Sequence, residues 1–516
     1  MSAAMVPESE LASAGPALTA STEPVSQVDL ADFSRDLFHG IRWLHERHGP
    51  IAAVEDGGQR VVFLFSPEFN QEVLSDTERF HARFFTVRGP KRSAQRRLTC
   101  GLLAMNGEQH RRNRRIVKEP FGLRAISGYA DTIARLTDEL LASWRPGDVR
   151  DIAEEMRQYM LRVTSTLLFG LNDSELAYRL GDMIARWVAL NQDVGAGALV
   201  PNDRFFHHYE DLLAFAEELE AEILAMIRRR RESDKPVGDV LSLLVQMHDE
   251  EGGLSDEELV GQTAVLFGAA HMTTAHSLTW TLMLLAQHPS VMAQLWEELK
   301  GEQSGAENGT ARCPFGRDTK ALGSLPKGEE LSLLDRVIKE SMRILPASAY
   351  SQRINTVAVQ LGPLFLPRGT GIVFAPLVTH HLPEVYSEPE HFLPDRWLTL
   401  RPSPYAYHPF GAGPRLCIGG PLATAIIRVA LEKILLRYRL SLVPGSNIGV
   451  HVESTMLVPT SGLPMRIHAA DGRFSANPIA GRIRELVDFD EAPELEAGAG
   501  HAAEQGEVSI VPRRPK

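Results

Sequence analysis

The sequence predicts a mainly α fold with a smaller β-rich part, carried on one compact body. Three observations support this. Residues from about 107 to 345 follow a helical pattern almost without interruption. Strand-like runs are confined to Arg60–Phe65 and to a patch at about 352–376. Finally, a glycine-rich loop, Phe410-Gly411-Ala412-Gly413-Pro414-Arg415-Leu416-Cys417-Ile418-Gly419, runs into a helix marked by Leu422, Ala423, Ile426, Ile427, Ala430, Leu431, Ile434 and Leu435.

The chain of 516 residues, 44% of them hydrophobic, is long enough for a large core. Residues 1–34 are rich in Ala, Ser, Pro and Glu without periodicity and are expected to form a disordered extension; residues 469–516 repeat that character as a disordered acidic tail. A short amphipathic helix around Ile483–Phe489 is the one weak signal inside the tail. The folded body therefore spans 35–468, with no linker or internal repeat to divide it. Gly301–Lys327 reads as a surface loop between two helices.

Three cysteines, Cys100, Cys313 and Cys417, exclude a disulfide framework and point to a reducing compartment. The first 34 residues hold five acids and no Lys or Arg, the reverse of a basic targeting segment, so the expected location is cytoplasmic. No apolar run approaches the ~18–20 residues of a membrane span, so no membrane anchor is expected. A net charge of −12 disfavours nucleic acid as a partner.

Chemistry concentrates at Cys417. Pro421 suits the first turn of the following helix, which turns the positive end of its dipole toward the sulfur. Glycines 411, 413 and 419 let backbone N–H groups approach it, which lowers the pKa of a thiol. With no CxxC and no second cysteine nearby, zinc and iron–sulfur ligation have little support, and a single axial thiolate remains. The ten residues fill every fixed position of F-x-x-G-x-R-x-C-x-G and resemble the haem-binding loop of the cytochrome P450 family.

Further segments carry the same resemblance in the family's order. The helix opened by the Ser255-Asp256-Glu257-Glu258 capping box is predicted to run about 32 residues, a rod of ~48 Å. Within it Leu266–Ala275 resembles the family's oxygen-binding segment, with Ala269 against the haem and Thr273 as the catalytic hydroxyl. Met272 stands where the family usually has an acid. Thr273 has a bland alternative, a bond back to the carbonyl four residues earlier, and the two roles are compatible. Glu340 and Arg343 lie on one helical face, and Arg396 in Phe392–Trp397 would close a structural cluster under the cysteine loop. His110 and Arg114, spaced i, i+4, suit an anion.

The resemblance implies that His110, Arg114, Arg353 and Arg415 hold the propionates of haem b (iron protoporphyrin IX), with Phe410, Gly411 and Gly419 shaping the loop and Cys417 as the iron ligand. It implies a monooxygenase that uses dioxygen and electrons from a separate ferredoxin or similar carrier on a small organic substrate, with secondary metabolism as a setting. Arg111, Arg112, Arg115 and Lys118 form the expected docking patch, and the Arg228–Arg231 run an exposed helix end. Because Met272 replaces the acid, a peroxide-using or redox-independent haem-thiolate enzyme stays open, as does a non-catalytic haem sensor. His271 is expected to be packed or solvent-facing rather than directed at the pocket. The substrate itself is not legible; Phe85–Leu103, Val194–Phe206, Leu345–Ser351 and Thr455–Val458 are the candidate pocket walls, with Ser348, Tyr350 and Asn202 as polar points.

Overall fold

A computed structural model describes residues 23–83, 87–170, 174–197, 203–232, 239–249, 254–307 and 331–489. Helices form most of it. Leu123–Ala142, Ile152–Phe169, Met272–Gln287 and Gly420–Arg437 pack around one large core that includes Trp144, Trp187 and Trp280. Their starts follow from capping: Asp151 accepts from the N–H groups of Ala153 and Glu154, Ser332 from Asp335, and Ser255 with Glu258 closes the expected capping box.

The β-rich part is a six-stranded sheet in the order Val25–Gln27, Ile51–Asp56, Gln59–Leu64, Gly371–Phe374, Ser351–Asn355, Phe80–Ala82. The Arg60–Phe65 and 352–376 runs thus share one sheet. Its last strands carry Arg353 into the interior, where it pairs in register with Ile372. A two-stranded ribbon, Val450–Glu453 with Met456–Pro459, is joined to the turn after Pro346 by the Ala349 N–H, which donates to Thr455 O at 2.7 Å. Two of the expected pocket walls are therefore tied together.

Three expectations change. The ordered body extends beyond 35–468: Val25–Gln27 pairs in parallel with Ala53–Glu55. Past 468, Ile479, Ile483, Leu486, Val487 and Phe489 are buried, and Arg482–Glu485 is a 3-10 turn. Arg42 bonds Glu485 at 2.6 Å and Arg482 bonds Asp36 at 2.7 Å, so the two ends lash each other to the body. Residues 1–22 and 490–516 lie outside the described residues, as do Cys313, Asn202 and most of the predicted 301–327 loop, whose start continues the helix Pro289–Glu307.

The long rod is two helices, Asp256–Ala270 and Met272–Gln287, broken at His271. The Thr273 hydroxyl donates to Ala269 O at 3.1 Å and that of Thr274 to Ala270 O at 3.3 Å, and such back-bonding bends a helix. Lastly, Arg230 is not an exposed helix end. It donates to Phe169 O at 2.9 Å, closing the last turn of that helix, and pairs with the buried Asp239 at 2.9 Å.

Candidate active site

The cysteine loop is built by backbone constraints. Gly413, at φ +68°, lies so close to the end of the helix Pro67–Ser75 that a methyl group on it would sit 2.4 Å from Leu74 O. The Cys417 N–H donates to Phe410 O at 2.9 Å, closing the loop, and the Phe410 ring rests on Gly420. The Cys417 side chain is accessible.

The Gly419 and Gly420 N–H groups are directed at the sulfur as expected, and Arg114 adds a favourable charge. Burial outweighs them, and the thiol pKa is raised, contrary to the expected lowering. A cation bound at the sulfur would favour its thiolate form. Among the described residues no group of three or more His, Cys, Asp or Glu could hold a metal.

Beside the loop, His110, Arg114, Arg353 and Arg415 come together as predicted. Arg415 donates to Asn106 Oδ1 at 2.7 Å and to Met105 O. Arg114 donates to Leu416 O, and Arg353 to Gln352 O at 2.9 Å while lying 5.2 Å from the Phe374 ring centre. None of the four forms an ion pair among the described residues. Burial, then the neighbouring Arg415, pushes Arg353 down to about 9; burial, then Arg415, Arg114 and Arg353, pushes His110 down to about 4. Arg415 Nε is buried without a partner. Three guanidiniums, Arg353 buried and Arg114 and Arg415 half-buried, repel one another and hold His110 neutral, and a pair of carboxylates is a ligand that relieves this. The residues fit the propionates of a haem.

The distal helices supply the other wall. Asp256–Ala270 is buried along most of its length, but Gly268, Ala269 and Ala270 are partly or fully accessible, as is Thr273 beyond the break. Thr273 holds its proton on Ala269 O, and its oxygen lone pairs remain to accept. His271 is buried and bonded to Phe267 O, the packed one of the two placements, packed or solvent-facing, that the sequence suggested.

Beneath the loop, fully buried Arg343 donates to Glu340 at 3.0 and 2.9 Å, and Arg396 Nε donates to the same carboxylate at 2.9 Å. Trp397 Nε1 and the Leu393 N–H complete its shell, each at 3.0 Å. Arg343 also donates to the carbonyls of His380 and Pro389, both at 2.8 Å, which pins the chain that leads into the cysteine loop.

Sequence reasoning missed Asn106, which orients Arg415 and bonds both backbone groups of Ala82; its position directly before the helix Gly107–Lys118 was the available signal. Of the expected docking patch, Arg111, Arg115 and Lys118 are exposed, Arg111 pairing with Glu108 on its own helix, while Arg112 is part-buried against Glu258 at 3.3 Å.

A helical fold of this arrangement, with one cysteine in a glycine-rich loop over a cationic clamp, defines a haem-thiolate protein. The chain belongs to the cytochrome P450 family, whose model matches residues 26–464. Cyclooctat-9-en-7-ol 5-monooxygenase of Streptomyces melanosporofaciens is 30% identical over 78% of this chain and 84% of its own. Pentalenene oxygenase of Streptomyces avermitilis is 28% identical over 78% and 86%. A retinoic acid-bound cyanobacterial cytochrome P450 superposes with a TM-score of 0.67 over 83% of this chain and 93% of that one; at 23% identity this shows the fold alone. The protein is thus an oxidoreductase of the P450 monooxygenase family, a family that uses haem, dioxygen, a small-molecule substrate and a redox partner. Among the described residues no helix is long and apolar enough to cross a membrane.

Proposed function

We propose that this chain is a cytoplasmic haem b monooxygenase that hydroxylates a medium-sized, largely apolar terpene-type molecule, with electrons from a separate acidic ferredoxin. The observation that carries the reading is the accessible sulfur of Cys417 beside three guanidiniums, Arg114, Arg353 and Arg415, that form no ion pair among the described residues, with the neutral imidazole of His110 among them. When bound, the haem supplies the centre at which dioxygen is cleaved. His110, Arg114, Arg353 and Arg415 would hold its propionates, and Cys417 its iron. Thr273 would hold a proton-bearing water or dioxygen by hydrogen bonding on the opposite side. The overall balance is RH + O2 + 2 electrons + 2 protons giving ROH + water.

The substrate class rests on the two relatives, both of which are named for terpene oxygenation, and on the walls. Ser348 spends its hydroxyl on Tyr350 O, and Tyr350 packs against two apolar clusters, which leaves these walls mainly apolar. A setting in secondary metabolism follows. For docking, exposed Arg115 and Lys118 support an acidic carrier.

Purified enzyme with ferredoxin, its reductase and a panel of terpene hydrocarbons and alcohols tests the reading. Substrate-induced spectral shifts and one atom of 18O from labelled dioxygen in the product are expected. Product from peroxide but none from reduced ferredoxin would replace it with the peroxide-using alternative that Met272 favours.

A further inference from the structure

Asn106 stands at the N-cap of the clamp helix Gly107–Lys118, and asparagine is among the residue types that cap best, by accepting from a backbone N–H two or three positions on. Its side chain makes no such bond. Instead Oδ1 accepts from Arg415 Nη2 at 2.7 Å and from the Ala82 N–H at 2.9 Å, while Nδ2 donates to Ala82 O at 3.1 Å. Both ends of the amide are spent on residues outside the helix that it opens.

These contacts reach all three elements that carry the clamp. Ala82 pairs in register with Arg353, so Asn106 grips the residue directly opposite Arg353 in the sheet. On the helix, the His110 N–H donates to Asn106 O at 3.3 Å, and Arg114 follows one turn later. Arg415, from the cysteine loop, is held by the side chain itself.

The choice of an amide has a chemical consequence. Turned over, it would set its NH2 group against two donors and its oxygen against a carbonyl, so its orientation is fixed. A carboxylate in its place would also oppose Ala82 O and would form an ion pair with Arg415, which has none among the described residues. The neutral amide holds the guanidinium and leaves its charge for a ligand, and Arg415 Nε is buried without a partner. We propose that Asn106 is the positioning residue of the clamp, fixing Arg415 without neutralising it, so that the anionic groups of the haem meet a full positive charge there. This rests on the haem-thiolate reading.

A residue that merely starts a helix predicts that Asn106→Asp is harmless or stabilising, because aspartate caps as well and an acid suits a helix N-terminus. A positioning residue that must stay neutral predicts the opposite. The test uses the full-length, haem-loaded chain and follows loss of haem to excess apomyoglobin, the haem reduction potential and the reduced carbon monoxide band. Asn106→Asp should release haem at least tenfold faster and shift the potential to more negative values, since added negative charge favours the ferric state. The red-shifted band should be kept, because Cys417 is untouched. Asn106→Ala should also release haem faster, and Asn106→Ala combined with Arg415→Ala no more than twofold faster than Arg415→Ala alone, as expected when one residue acts through the other. Haem release in Asn106→Asp within twofold of wild type with an unchanged potential, or effects of the two alanine changes that multiply, would overturn the proposal. Should Asn106→Asp take up no haem, the alanine pair decides. A wild type that binds haem without the red-shifted band loses the haem-thiolate reading, while haem release still decides the part played by Asn106.

Discussion

Gly101 and Gly261 meet backbone to backbone: a methyl group on Gly101 would lie 2.3 Å from Gly261 O, and one on Gly261 would lie 2.7 Å from Gly101 N. This crossing lays the segment before the clamp helix directly on the distal helix. It lets Gln262 accept from the Leu102 N–H at 3.1 Å and donate to Asn113 Oδ1 at 3.2 Å, while Asn113 donates to Glu258 at 3.0 Å. Gly261→Ala should therefore force the two backbones apart and cost about 1–3 kcal/mol, the usual range for overpacking. Thermal unfolding followed by haem absorption measures this; an unchanged midpoint would show that the crossing relaxes without strain.

Cys417→Ser should leave a folded chain without thiolate-ligated iron, because a neutral hydroxyl is a poor axial donor. The reduced carbon monoxide complex is the readout, and its red-shifted band should be lost. Retention of that band would remove Cys417 from its role.

Glu340→Gln should strip the chain of its folded, haem-bound form. Two guanidiniums, Arg343 and Arg396, then lose their shared carboxylate in a site where Glu340 and Arg343 have no exposure. Breaking such a buried pair costs roughly 3–5 kcal/mol. Haem bound per chain and the unfolding midpoint should fall together.

Charge reversal at Arg115 and Lys118 should slow the first reduction by ferredoxin and flatten its dependence on salt, with substrate affinity unchanged. Arg112→Glu belongs to a different class: it sets a second carboxylate against Glu258 and should lower stability instead. Equal reduction rates across a salt series in the Arg115/Lys118 variant would move the docking face elsewhere.

Acid should destabilise the protein through three histidines, His380 and His408 buried and His381 half-buried. His381 and His408 are pushed down to about 3 by burial, and His380 well below its ordinary value by burial and then His408. These folded-state values lie below the unfolded one, so the unfolded chain takes up protons that the fold refuses. Stability is level above pH 7 and falls as pH drops from about 6.5 toward 3, by about 1.4 kcal/mol per pH unit for each histidine in the middle of that window. His408, with neither ring nitrogen partnered, sits between Phe374 and His380. His408→Phe should thus shallow the fall in urea midpoint between pH 7.5 and 5.

The cysteine loop, the His110–Arg114 spacing and the Glu340–Arg343 spacing were legible as local patterns, whereas Arg353, Arg415 and Arg396 were joined to them only through the family resemblance. What was not legible depends on contacts distant in sequence. The first strand at Val25 is held by backbone pairing with Ala53, which composition does not encode. The helix break at His271 arises where hydroxyl back-bonds compete with a periodicity that reads straight through. Arg112 looks like its exposed neighbours until Glu258 arrives from 146 positions away. The Cys417 thiol shows the same limit: its donors are local, but the burial that outweighs them comes from the whole fold.

The clamp joins residues far apart in the order of synthesis. Arg114 reaches Leu416 across 302 positions, and Arg415 reaches Met105 across 310. A ribosome therefore delivers the early half of the clamp long before Arg415 and Cys417 emerge, and loop closure over that span is slow. Cofactor capture becomes a late step of maturation, and a nascent chain stopped before residue 417 exposes its apolar helices with nothing to lock them.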